Sequence, residues 1–573
     1  MKRRWLTRLA ILLLAPLVFL LVLEASLAVA GVRVPRYAGY RDHGSYWVPC
    51  EEPGKPPGWD RDPSFARNYK HVPEVPPLFL RDKPANGWRV FVLGESSVKG
   101  LPYEVGCFAD WLRLRAAAML PDRTVEVVNA GMAGWHATDI RLLLQDCLEH
   151  EPDLLIWMVG HNEFVPDNVL TLRDEIEHPV FHRLYAGVAR LRTATWLGGW
   201  LPALHPYREP VFDHLQSSEQ PLYGAELPLI KQRFRETTAA AVADARAAGV
   251  PIILCTMARN VRESPPAYSH FSEATRADAA QRARWDEAYD AGLAAFDCGD
   301  AAAAIPELQR ALAIDATPAK AHFALARALE KAGRADEARA TYEQALERDA
   351  GPMRAQAWAE QAIRDVAQQT GAPLADLQAA FDQRSKLGLA GGELVVDNCH
   401  PNLAGHEVIA SILLAVIERN LKLPFDHDRD VSSREGRKAL GLDDYGAQTA
   451  KESEAVNLGK LALQSGVVDE TWRQAHDLCR DALAGDPAAW EVMGTQGLLE
   501  AIAGNADLGR RLIERAMEMN PYVKISYVFF WKTEIPYQRA FAAAGLDMAA
   551  IEAALPAAAR RQVENRTWRA QAR

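Results

Sequence analysis

The residues best suited to chemistry sit on one turn, Gly94-Glu95-Ser96-Ser97. Residues 88–93 are rich in β-branched and aromatic side chains and read as a buried strand, which Gly94 ends where a sharp bend suits a residue without Cβ. A serine therefore stands at the carboxyl end of a strand. In an open α/β sheet that edge is where ligands bind, and a hydroxyl raised there can attack an electrophile. Two other uses of such a turn fail on spelling. A phosphate-binding loop needs Gly-Lys-Ser/Thr at its end, whereas Lys99 precedes Gly100 and no hydroxyl residue follows directly. The Gly-x-Ser-x-Gly elbow needs Gly two residues to either side, and neither Ser96 nor Ser97 has that.

The elements that must position this turn repeat along the chain. Residues 125–129, 154–159 and 251–255 read as further strands, with 372–377 as a fifth, and helices are expected over 108–120, 140–148, 229–248 and 404–420. Strands alternating with helices predict an α/β fold, a parallel sheet joined by right-handed crossovers with helices on both faces. The loops after strands two and three carry Asn129-Ala130-Gly131-Met132-Ala133-Gly134 and Gly160-His161-Asn162-Glu163, and a late stretch reads Asp397-Asn398-Cys399-His400-Pro401-Asn402. From about residue 279 the text changes to Ala-rich helices. Gly299 and Gly333, Ala311 and Ala345, Leu312 and Leu346, and Asp315 and Asp349 are each 34 apart, the tetratricopeptide (TPR) period, with Trp285 at a packing position and Pro318 starting a helix. Ala482 and Ala516, Asp486 and Asn520, and Pro487 and Pro521 keep the same spacing near the carboxyl end. Strands lie on both sides of the first set, so it reads as an insertion.

Read together, the four loops resemble the SGNH branch of the GDSL hydrolases, whose blocks carry Ser in Gly-Asp-Ser, a Gly, Asn in Gly-x-Asn-Asp, and Asp-x-x-His. The resemblance covers roughly residues 88–277 and 370–420 and implies a flavodoxin-like sheet. A serine hydroxyl is a weak nucleophile without a base, which His400 can supply, and Asp397 can accept from the other ring nitrogen and fix the tautomer. By resemblance the oxyanion donors are the backbone N–H groups of Ser96 and Gly134 and the side-chain amide of Asn162. Taken one at a time, Gly134 reads as a turn, Asn162 as a local cap and Asp397 with His400 as the start of the next helix; their order at strand ends is what joins them. Glu95 and Glu163 stand where the family has Asp, and Ser97 where it has Leu. Ser97 is a competing nucleophile, Cys399 is a packed thiol or one of lowered pKa, and His161 and His136 lie in loops that reach substrate or are surface rings.

Composition bounds the rest. A length of 573 residues predicts two to four domains, and a net charge of −10 with pI near 5.9 argues against nucleic-acid binding. Seven cysteines without a Cys-x-x-Cys pair exclude the usual zinc spacings, and no metal or cofactor is called for. Asp426, Asp428 and Asp430 alternate as in an EF-hand, but Val431 stands where Gly is required, so the run reads as solvated. The basic start and the apolar run from Leu9 predict a signal-anchor, or alternatively a cleaved signal peptide, with everything beyond it on the extracytoplasmic side. The expected domains are a transmembrane segment (1–33), a stem (34–87), the hydrolase domain (88–277 and 353–424), inserted repeats (278–352), a charged linker (425–450), C-terminal repeats (451–530) and a helical tail (531–573). The expected function is a membrane-anchored serine esterase or deacylase with an ester-bearing substrate, a cell-envelope glycan or lipid being a candidate. An O-acyltransferase using the same residues, and a membrane scaffold whose TPR-like repeats bind a protein or peptide beside a dead site, are the alternatives.

Overall fold

The computed structural model describes residues 2–30, 46–50, 56–61, 78–103, 105–181, 188, 191–194, 196, 224–442, 444–465, 470–533, 535–557, 559–560 and 563. The rest of the expected stem, and the end of the expected tail, lie outside these. The chain forms two compact units, one with the described residues of Met1–Asp82 and Leu170–Pro210, the other with those of Lys83–Val169 and Val211–Ala572.

In the first unit the opening segment is one helix, α1 (Lys2–Val29). Among the described residues no helix is long and apolar enough to cross a membrane. That overturns the anchor, its single-pass topology, the extracytoplasmic placement, and with them the membrane-anchored enzyme and the membrane scaffold. The segment's apolar run is bounded by Lys2, Arg3, Arg4 and Arg8 and broken by Glu24. The Glu24 carboxylate accepts the backbone N–H groups of Arg192 at 2.9 Å and Thr193 at 2.7 Å. The described part of residues 34–87 contains three antiparallel strands, β1 (Trp47–Cys50), β2 (Gly58–Arg61) and β3 (Phe79–Leu80), in the order β1-β2-β3. Trp47 and Phe79 bury one side of this sheet, ring edge to face at 5.1 Å.

The second unit is built on five parallel strands, β4 (Gly87–Gly94), β5 (Thr124–Gly131), β6 (Leu154–Met158), β7 (Ile252–Cys255) and β8 (Leu374–Ala375). Their order in space is β5-β4-β6-β7-β8, so the direction of winding reverses beside β4. Every residue of β6 and β7 is buried, as an apolar strand covered on both faces must be. The one charged cross-strand pair, Arg89 opposite Glu126, is bonded at 2.7 Å and also capped by the His150 carbonyl. Gly94 pairs with both Gly131 and Met158, which brings the loops after β4, β5 and β6 out at one edge. Helices α2 (Ser96–Lys99), α3 (Phe108–Met119), α4 (Ala137–Cys147) and α5 (Leu227–Ala247) follow these strands or lead into them.

Between β7 and β8 the chain makes two helix pairs, α6 (Ala279–Asp297) with α7 (Ala301–Ile314) and α8 (Ala319–Lys331) with α9 (Ala335–Glu347). The residues at the 34-residue period have a shared use: Asp315 accepts the backbone N–H of Ser272, and Asp349 those of Ala267 and Tyr268, so both repeats grip the segment that leaves β7. Helix α10 (Ala357–Thr370) returns to the sheet and packs on α5, and α11 (Leu403–Leu421) packs on α3. The fifth strand is only two residues long because Pro373 and Asp376 bound it, Asp376 capping the next helical turn through the Ala379 N–H. The aspartate-rich linker is not merely solvated: Asp430 holds the Arg115 guanidinium of α3 by two bonds, 2.9 and 2.5 Å. Beyond it α12 (Asp444–Ser465), α13 (Glu470–Gly485), α14 (Trp490–Ile502) and α15 (Ala506–Met519) share a core that includes Leu458, Cys479, Leu499 and Ile513.

Candidate active site

The serine turn is set by backbone crowding. A Cβ on Gly94 would lie 2.1 Å from the Met158 carbonyl oxygen and 2.4 Å from Val98 Cγ2, so only glycine lets the strand bend this tightly against β6. Glu95 takes the N-cap position of α2 without capping it. Its buried carboxylate crosses instead to the loop after β6 and accepts the N–H groups of Gly160 and His161 at 2.9 Å and of Asn162 at 3.4 Å. Burial pushes this carboxyl up to about 7 against the pull of those three donors. Ser96 opens α2. Ser97 turns into the core and donates to the Cys399 carbonyl at 3.3 Å, which occupies the competing nucleophile as a tether.

The second half of the site arrives from some 300 residues away. A tight loop, closed by the Val396 N–H to the His400 carbonyl at 2.8 Å and by a bridge between Val395 and Pro401, carries Asp397 and His400. Asn402 then caps α11 by accepting from the Gly405 N–H. Asp397 Oδ1 accepts the N–H groups of Cys399 and His400, each at 2.8 Å, and Oδ2 lies 2.6 Å from His400 Nδ1. With the proton on Nδ1, Nε2 accepts from the Ser96 hydroxyl at 2.8 Å. Burial alone would depress the imidazole, but the Asp397 carboxylate and the Cys399 sulfur, 3.8 Å from Nδ1, together outweigh it and raise His400 well above its ordinary value. Burial likewise works against the Asp397 anion, yet the imidazole beside it and its hydrogen bonds hold it below the usual carboxylate range. The Cys399 thiol is pushed up by burial, so it is a protonated, packed side chain and not a thiolate.

The remaining loops are tied to the first. Asn162 Nδ2 donates one of its two hydrogens to the Trp135 carbonyl at 2.9 Å, joining it to the loop that holds Gly134. Gly134 has φ +78°, and a Cβ there would meet nothing within 4 Å, so its backbone borders open space. Glu163, buried and pushed up to about 7 by that burial, accepts the Ala137 N–H at the start of α4. His136 caps the same helix through Thr138. His161 is buried, accepts the Ala355 N–H at 3.0 Å and is driven down to about 3 by burial, so it is a neutral structural ring.

Among the described residues one group of three side chains has metal-ligand types close together, Asp397, Cys399 and His400. Asp397 is saturated with hydrogen bonds, and Cys399 is held as a thiol, so the donor set suits proton transfer. Two contacts to this loop escaped the sequence reading. Asn398 donates to the Met353 carbonyl at the end of the inserted helices, and Asn457 Nδ2 on α12 lies 2.6 Å from Asp397 Oδ2. Asn398 is an unspecified position within the Asp-x-x-His block, and no motif or spacing points to Asn457.

Residues 295–362 match the tetratricopeptide repeat family model. No curated protein matches the chain. Among solved structures it is similar to an alpha/beta hydrolase enzyme from the metagenome of Lake Arreo, Spain, at 17% identity over 59% of this chain and 96% of that one, TM-score 0.26. It is also similar to an acetyl xylan esterase, at 12% identity over 57% and 99%, TM-score 0.26. A GDSL-like lipase from Bacteroides thetaiotaomicron shows 10% identity over 58% and 88%, TM-score 0.26. TM-scores this low leave the site to be judged on its own geometry.

Proposed function

We propose that the chain is a serine hydrolase of the SGNH type, acting on ester bonds through an acyl-enzyme on Ser96. The observation that carries the reading is the unbroken relay from Ser96 Oγ through His400 to Asp397, 2.8 and then 2.6 Å. In the proposed reaction His400 Nε2 takes the hydroxyl proton as Oγ bonds to the ester carbonyl carbon, and Asp397 stabilises the imidazolium. The oxyanion is received by the backbone N–H groups of Ser96 and Gly134 and by the second amide hydrogen of Asn162. Collapse breaks the bond to the alkoxy oxygen, which leaves as an alcohol with the proton from His400. Water then attacks the acyl-serine with His400 again as base, releasing the acid and restoring the hydroxyl. The winding reversal beside β4, an order shared with flavodoxin-like sheets, supports the same location, because such crevices receive ligands. Ser96→Ala in the purified protein is expected to abolish hydrolysis of a small activated ester; wild-type rates in that variant would refute the proposal.

A further inference from the structure

One side chain reaches the Asp397 carboxylate from a helix that belongs to the C-terminal array. Asn457 lies on α12, 60 residues beyond Asp397, and its Nδ2 is 2.6 Å from Oδ2. The same oxygen faces His400 Nδ1 at 2.6 Å, while Oδ1 is taken by two backbone N–H groups. Asp397 is only 4% exposed, so water does not readily replace a missing donor. Helix α12 is itself held at this spot. One turn before Asn457, Glu454 accepts the Tyr103 hydroxyl, and the Tyr103 ring stands edge-on to His406 at 5.8 Å. On its other face Ala455 and Leu458 are buried in the C-terminal core.

We infer that Asn457 is a positioning residue for the Ser96 reaction, holding Asp397 in the orientation that keeps the His400 proton on Nδ1. The C-terminal helices are then a working part of the active site. This rests on the serine-hydrolase reading. An amide hydrogen on Oδ2 shares the carboxylate's charge and fixes its rotation; without it Asp397 binds imidazolium more strongly but less well aimed. The other ionisable groups facing the pair are Glu95, Cys399, His161, His406 and Tyr103, and a substitution at Asn457 removes none of them.

The test uses the full chain with Asn457→Leu and Asn457→Asp, following hydrolysis of a small activated ester across the imidazole pH range and the His400 ring by NMR titration. Asn457→Leu is expected to lower kcat by about 10- to 100-fold with KM little changed, the loss typical of one buried hydrogen bond to a charged group. The His400 titration and the acid limb of kcat/KM should move to higher pH together. Asn457→Asp keeps the side chain's shape but sets a second carboxylate against the first, and should raise the His400 titration further; it decides the matter if the leucine variant does not fold. A folded variant pair with the wild-type His400 titration and wild-type acid limb would overturn the inference alone. Undiminished hydrolysis in Ser96→Ala, run alongside, would instead overturn the hydrolase reading and this inference with it.

Discussion

The Ser96 turn and the Asp397–His400 loop meet at 2.8 Å but are held by different means. The turn is fixed by the sheet: Gly94 is wedged against β6, and Glu95 clamps the neighbouring loop through three backbone N–H groups. The loop has no strand of its own beyond a single bridge. It is held by partners distant in sequence, Met353 just beyond the inserted helices and Asn457 from the C-terminal helices. On the proposed reading, the nucleophile is placed by the sheet itself, whereas the base is placed by whatever packs around its loop.

The largest expected effect comes from removing the base. His400→Ala should lower kcat for an activated ester by roughly 10⁴-fold or more, and a rate near wild type would separate the two regions functionally. On the sheet side, Asn162→Ala should cost roughly 10²–10³ in kcat, the scale of one oxyanion donor, and should leave the pH dependence where it was. The pH profile itself reports the loop. His400 must be neutral to accept the Ser96 proton, and Asp397 raises its pKa, so activity should be lost as pH falls through a value above the ordinary imidazole value of about 6.5. An acid limb below that value would mean that Asp397 does not stabilise the imidazolium. The smallest effect is expected at Cys399, whose buried Sγ lies 3.8 Å from His400 Nδ1 beside the stronger Asp397 contact: Cys399→Ala should lower kcat only slightly and cost about 1 kcal/mol of stability in a thermal melt.

The same contrast governs what could be read from the sequence. β4, β6 and β7 stand out as apolar runs because parallel strands are buried on both faces, and the expected bounds at 88–93, 154–159 and 251–255 fall within a residue or two of those observed. The repeats are legible through their period, which returns Asp315 and Asp349 to equivalent places. The strands within residues 46–80 carry no such signal, since two to four residues cannot display an alternation. The N-terminal run suggests an anchor by its local apolar stretch, but among the described residues no helix, α1 included, is long and apolar enough to cross a membrane. Asn457 was invisible for another reason: an asparagine on a helix acquires meaning only from the carboxylate the fold brings to it. Ser97 and Cys399 were legible as candidates, but their burial, not their identity, decides what they do.

The pairing of Ser96 with His400 is tested most directly by mapping where a fluorophosphonate bonds to the full-length protein. The phosphonyl group is expected on the Ser96 peptide of the wild type and on no residue of His400→Ala. Label on Ser97, or equal labelling of Ser96 with and without the imidazole, would contradict it.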